Sequence, residues 1–230
     1  MCRFTKRKKS PMADASLIFG FLKALAENNN RPWFEASKTD YLKAKAEAEL
    51  LIDNCIQSLG KEVPLPDLKA KQCMFRIYRD VRFSKNKDPF KKNFSALISA
   101  AGKKAGLEPS WYLHLEPGGS FMASGVYEPG AEQLAAIRQE IEYNAEEFRA
   151  ILAEPELKKR FGVLQGNQLK TAPKNYSREH PDIDLLRYTQ FYLMADYSDA
   201  ELGDAAFPDR FTRDCLLLKD FQAFLKRAGD

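Results

Sequence analysis

The chain has 230 residues, 44% hydrophobic, 12% aromatic and 30% charged, with 36 Lys and Arg against 32 Asp and Glu. This excludes collagen-like and low-complexity chains, and no stretch approaches the roughly 18 consecutive apolar residues of a membrane span. A chain of this size buries roughly 70% of its unfolded surface, so neither a disulfide nor a cofactor is expected.

The net charge of +4 is unevenly distributed. Arg3, Lys6, Arg7, Lys8 and Lys9 all precede Met12. Residues 1–11 are therefore expected to be a disordered basic extension or a mis-assigned start, followed by a single α+β domain over 12–230. Within it, residues 69–104 carry 11 basic side chains against only Asp80 and Asp88. Such segregation steers anionic partners. Cys2, Cys55, Cys73 and Cys215 form no C-x-x-C pair, so reduced thiols in a cytoplasm are expected. The apolar run at 17–22 stops at Lys23 and reads as helix, not as a signal peptide.

In chain order, Asp14 or Ser16 caps a helix over 17–27, and Asn28 to Pro32 breaks it. Three- and four-residue spacing from Tyr41 to Leu59 predicts one helix over 33–59, ended by Gly60. Phe75 and Ile77 alternate with Arg76 and Tyr78, as in a strand. Residues 93–99 fit either a strand or a short helix. Residues 111–117 and 120–127 flank Gly118-Gly119, the signature of a hairpin. With the two glycines as the loop, Leu115 faces Met122 and Leu113 faces Ser124. The opposite face then sets Tyr112, His114 and Glu116 beside Gly125, Ala123 and Phe121, a candidate groove floor. Helices follow around Leu134 to Ile141, Phe148 to Leu152 and Pro155 to Phe161. Residues 170–181 read as polar loop, 190–195 as strand and 208–228 as a last helix. The expected fold is α+β, a mainly antiparallel sheet with helices packed on it and helices at both ends.

The chain lacks a P-loop, a G-x-G-x-x-G after a strand, H-E-x-x-H and G-x-S-x-G. With only His114 and His180, no metal site is expected. The informative stretch is Phe75 to Lys92. Guanidinium forks suit phosphate and carboxylate oxygens, so Arg76, Arg79, Arg82, Lys85, Lys87 and Lys91 are candidate anion ligands. Pairing of the same arginines with the chain's own acids, Asp80 first, is the competing reading. Tyr78, Tyr112, Lys174 and Tyr176 are candidates for an adjoining pocket, with the 170–181 loop as a lid. His114, Glu116 and His180 are candidate proton-transfer groups.

Arg76-x-x-Arg-Asp-x-Arg-Phe-Ser-Lys-x-Lys-x-Pro-Phe-Lys91, followed by Tyr112-x-His-x-Glu-Pro-Gly-Gly119, resembles the domain of unknown function 2461 family. Trp33-Phe34, the helix with Leu134, Ile137 and Arg138, and Lys170-x-x-Pro-Lys-x-Tyr176 with His180-Pro181 extend the resemblance over most of the chain. The chain departs from the pattern at Asn86, where Asp is usual, at Phe90, where Tyr is usual, and at Asn175, where Gly is frequent. The resemblance implies a compact α+β domain of cytoplasmic type with no established activity. Three functions stay open: binding of a phosphorylated or otherwise anionic small molecule, with or without catalysis; nucleic-acid binding through residues 69–104; and a protein-interaction or structural role. No membrane partner is expected.

Overall fold

The computed structural model describes residues 11–65 and 67–229, except the side chain of Lys104. The expected basic extension falls, but for Pro11, outside the described residues.

Asp14 starts α1 (Ala15–Glu27) by accepting from the Ser16 amide at 2.9 Å, and α1 buries Ile18, Phe19, Phe21, Leu22 and Leu25. The single helix expected over 33–59 is two. Asn30 caps α2 (Arg31–Ala36), the chain turns at Ser37, and α3 (Lys38–Leu59) runs to Gly60. Heptad-like spacing survives such a turn because the turn preserves which face is apolar. The break lets Phe34 stack on Phe90 at 4.0 Å and meet Tyr41 at 5.0 Å.

After α4 (Ala70–Cys73) the expected strand at 75–78 is only an extended segment with isolated bridges, Met74 to Ala96 and Tyr78 to Phe90. The burial alternation is present: Ile77 is buried, while Arg76 and Tyr78 are exposed. Pairing stops at single bridges: the Arg79 amide to the Pro89 carbonyl and the Lys91 amide to the Ile77 carbonyl flank the Tyr78 to Phe90 bridge, while on the other edge Asn29 holds the Phe90 backbone, its Oδ1 accepting from the amide and its Nδ2 donating to the carbonyl.

Residues 93–99 resolve as strand. β1 (Phe94–Ile98), β2 (Trp111–Leu115), β3 (Ser120–Val126) and β4 (Phe191–Tyr197) form an antiparallel sheet in the order β1-β2-β3-β4. The expected hairpin exists, but its register is shifted by two: Leu113 faces Met122, and His114 faces Phe121. Pro117 and Gly118, with φ 67° at the glycine, make the turn one residue earlier than Gly118-Gly119 would. Ser120 Oγ closes it, accepting from the Glu116 amide and donating to the Glu116 carbonyl. A two-residue shift leaves the faces unchanged.

Beyond β3 come α5 (Ala131–Tyr143), α6 (Ala145–Ala153), α7 (Pro155–Phe161) and α8 (Ile183–Leu186), and beyond β4 the short α9 (Asp199–Leu202). The expected last helix is again two, α10 (Phe207–Leu217) and α11 (Lys219–Arg227), parted at the fully buried Leu218. The turn lets Phe211 and Cys215 in one half and Phe221, Phe224 and Leu225 in the other all reach the core.

One face of the sheet carries Ala96, Trp111, Leu113, Met122, Phe191 and Leu193, all buried. Helices cover it: Trp111 Nε1 donates to the Cys215 carbonyl of α10, and Gln222 of α11 donates to Ser124 Oγ at 2.6 Å. The other face is partly exposed, and its residues align in rows: Ser95, His114, Phe121, Asp196, and then Leu97, Tyr112, Ala123, Met194. The molecule is thus an α+β fold with one face of its sheet covered by helices and the other partly exposed.

Cys55, Cys73 and Cys215 are free and buried. Burial raises all three thiols, that of Cys73 to about 11. In a Cys2→Ser variant, native protein should react with iodoacetamide at a small fraction of the rate seen in denaturant. Rapid labelling of any native thiol would contradict the packing.

Candidate functional site

The six proposed anion ligands divide into a braced loop and a free group. Arg79 is spent internally: its Nη1 donates to the Asp88 carbonyl at 3.2 Å and its Nη2 to Ser84 Oγ at 3.3 Å. Arg82 is paired with Asp80 through Nε and Nη2, the latter at 2.7 Å. Lys87 donates to the Val81 carbonyl at 3.0 Å. Lys85 is exposed on the same loop. For Arg82 the competing reading, pairing with the chain's own acids, therefore describes the geometry, whereas Arg79 is held by a backbone carbonyl and a hydroxyl instead of an acid. Asn86, in place of the usual Asp, accepts from the Asp88 amide and donates to its carboxylate, so the site has no acid there.

Arg76 and Lys91 differ. Among the described residues neither is paired with an acid, and Asp80, the carboxylate that senses Arg76, is held by Arg82. Lys91 Nζ lies 5.4 Å from the centre of the Phe75 ring, and Lys103 Nζ approaches the same ring at 5.7 Å. Burial, then the neighbouring charge of Arg76, lowers the Lys91 ammonium from its ordinary value. Phe75 in turn lies 6.3 Å from Tyr112 on the exposed sheet face, so the cations border that face at its β1 edge. Lys103 was not singled out by the sequence: it lies in a short 3-10 turn (Gly102–Lys104), where no periodicity marks it.

The β2 strand contributes a relay. The Tyr112 hydroxyl is 3.1 Å from His114 Nδ1, and His114 Nε2 is 2.8 Å from Glu116 Oε2. An ionised carboxylate can only accept, so Nε2 carries the hydrogen toward Glu116, and in a neutral imidazole Nδ1 then accepts from Tyr112. Phe121 stacks on the imidazole at 4.6 Å and 13°, fixing its plane. Burial raises the Tyr112 phenol, which keeps it a hydrogen-bond donor at neutral pH. Strand alternation places Tyr112, His114 and Phe121 together on this face. The arrangement can hold an anion at the cations and pass a proton along the relay. Among the described residues no group of three His, Cys, Asp or Glu side chains could hold a metal.

The 170–181 loop is not brought to this place. Its flanks pair at the β4 edge, through Gln165 to Tyr192 and Gln168 to Tyr188, with the whole sheet between it and the cations. Tyr176 contacts Glu142 and senses Arg138, both on α5, and its phenol is raised first by burial. His180 Nδ1 accepts from the Asp182 amide at 3.1 Å, ahead of α8, and its Nε2 is 3.9 Å from Glu142. Lys174 is exposed on the same loop. Tyr176 and His180 anchor the loop to α5 and do not join the relay. Asn175 has a φ of 74°, a conformation in which glycine is unstrained and Asn is tolerated, which accounts for the glycine frequent there. Tyr78, 44% exposed, packs on Phe34 and Phe90 and stands apart from Tyr112.

A cleft of about 260 Å³ lies elsewhere, between α1 and the start of α3, lined by Leu17, Gly20, Phe21 and Trp33. Its charged rim, Asp40 and Lys43, is paired at 3.6 Å, so it concentrates no charge.

The family described as conserved hypothetical protein (DUF2461) matches residues 17–224, and the chain belongs to it. Comparison with curated proteins and with solved structures finds no match. Among the described residues no helix is long and apolar enough to cross a membrane.

Proposed function

We propose that the protein binds a small molecule bearing phosphate or carboxylate at the β1 edge of the exposed sheet face. Arg76, Lys91 and Lys103 hold the anion, and the rest of the ligand lies over Tyr112 and His114. One observation carries this reading: Lys91 and Lys103 share the Phe75 ring, Arg76 is near enough for its charge to act on Lys91, and among the described residues no acid forms an ion pair with any of the three. Uncompensated like charges beside a partly buried ring raise the energy of the free protein, and a bound anion relieves it. The Tyr112, His114 and Glu116 relay supports an extension to proton transfer. The buried free thiols support a reducing compartment, the cytoplasm.

Thermal shift and calorimetry against inorganic phosphate, nucleotides and sugar phosphates test the reading. Loss of one charge-assisted contact costs about 1.5–3 kcal/mol, so Arg76→Ala and Lys91→Met should each weaken the anion roughly tenfold to a hundredfold. Arg82→Ala, whose partner is Asp80, should leave affinity unchanged. Affinity should also fall on the alkaline side earlier than an ordinary lysine would dictate, because Lys91 loses its proton sooner. Absence of any anion-dependent shift, or loss in Arg82→Ala with retention in Lys91→Met, overturns the proposal.

A further inference from the structure

The ring of Phe83 is 96% exposed, the most exposed large apolar side chain among the described residues. It is not on a slack loop. The Arg79 amide donates to the Pro89 carbonyl at 2.9 Å and closes the base, and the Arg79 guanidinium spans the interior to Asp88 and Ser84. The Ser84 amide returns to the Val81 carbonyl at 3.3 Å, and Lys87 Nζ donates to the same carbonyl. Residues on both sides of Phe83 are thereby fixed while its own ring touches little but Arg82, whose guanidinium carbon is 5.8 Å from the ring centre. Folding gains nothing from this ring. Bracing it outward pre-organises it for a partner.

The surroundings define the partner's chemistry. Arg82, Lys85 and Lys87 flank the ring, while Asp80 is neutralised by Arg82 and Asp88 lies 3.6 Å from Lys92. A partner must therefore offer regularly spaced negative charge together with flat apolar faces. We infer that loop 79–89 is a contact for single-stranded nucleic acid, with Phe83 as the stacking platform and Lys85 and Lys87 on the phosphates. A duplex hides its base faces, which leaves Phe83 without a use. A membrane-inserting element presents a broad apolar face, whereas this loop has one ring with two carboxylates at its foot. The surface uses none of Arg76, Lys91 and Lys103, and the inference stands whether or not they bind a small anion.

Fluorescence anisotropy with the full chain and labelled 12-nucleotide dT and mixed-sequence RNA, over a range of salt, tests the inference. Base stacking on one aromatic is worth about 1–3 kcal/mol, so Phe83→Ala should weaken binding roughly fivefold to a hundredfold. Phe83→Trp should restore it, with quenching of the added indole emission on binding. Lys85→Gln with Lys87→Gln should flatten the salt dependence. Because the ring is solvent-exposed, both Phe83 variants should melt with the parent protein. Equal binding by Phe83→Ala, equal affinity for the matching duplex, no binding at low salt, or Phe83-dependent binding to phosphatidylserine vesicles without oligonucleotide binding would each overturn the inference.

Discussion

Gly125→Ala is expected to abolish the folded state or to cost more than about 4 kcal/mol, against the total of about 5–15 kcal/mol typical of a domain. A Cβ there would stand 2.1 Å from the Phe191 carbonyl oxygen and 2.8 Å from the Tyr192 Cα. Both are backbone atoms inside the β3 and β4 ladder, where Gly125 faces Tyr192, so neither can swing aside as a flexible side chain would. The φ of 130° adds strain that an L side chain tolerates poorly. The same crowding recurs on the other side of β4: a Cβ on Gly166, at φ 139°, would lie 2.1 Å from the Gln190 carbonyl oxygen. The start of β4 is thus squeezed between two glycines on neighbouring segments, and both are required for close backbone approach. Gly20→Ala is the contrasting control. It lies inside α1 with no heavy atom within 4 Å of the new Cβ, so it should stabilise by about 0.5–1 kcal/mol. Urea denaturation of the three proteins decides the matter: a Gly125→Ala protein with near-parental stability would mean that β3 and β4 do not meet in this register.

Face assignments were legible in the sequence where continuity was not. Periodicity reports which side of an element is apolar, and Ser37 and Leu218 turn the chain without disturbing that side, so two pairs of helices each read as one. Alternation at Phe75 to Tyr78 likewise reports burial, but a strand also needs a continuous partner, and this segment finds only single bridges, from Met74 to Ala96 and from Tyr78 to Phe90. The hairpin's turn residues were visible, yet the register depended on the Ser120 hydroxyl closing a four-residue loop. For the candidate site, charge density pointed to residues 69–104, the segment that carries Arg76, Lys91 and Lys103. Which arginines are spent on internal partners is a property of folded geometry, since Asp80 was equally available in sequence to Arg76, Arg79 and Arg82. His180 had the chemistry of a proton carrier, but its position is set by the β4-edge pairings of distant residues.

The polar network behind β4 should show the second large effect, in Asp214→Ala. Asp214 is 6% exposed, and one of its oxygens, Oδ2, accepts from Arg160 Nε at 2.9 Å and from the Tyr197 hydroxyl at 2.7 Å. Arg160 also donates to the Asp196 carbonyl and lies 4.9 Å over the Tyr197 ring, while the Tyr197 hydroxyl sits 3.1 Å from Met122 Sδ. Burial, reinforced by the charge of Asp214, pushes the Tyr197 phenol far up, so it remains a donor at any ordinary pH. Removing the carboxylate leaves a partly buried guanidinium and a buried hydroxyl with their shared acceptor gone, a loss of about 3–5 kcal/mol. Tyr197→Phe removes one donor and leaves Asp214 paired with Arg160, so it should cost only about 1 kcal/mol. Asp214→Asn keeps an acceptor oxygen without the charge and should fall between the two. These costs should not add, because all three groups meet at one oxygen, and a double-mutant cycle between Asp214→Ala and Tyr197→Phe should show coupling of about 0.5–3 kcal/mol. Additive losses would show that Arg160 alone depends on Asp214. The network ties α7 and α10 to β4 on the covered side of the sheet, so a variant that still folds should keep its anion affinity while losing stability.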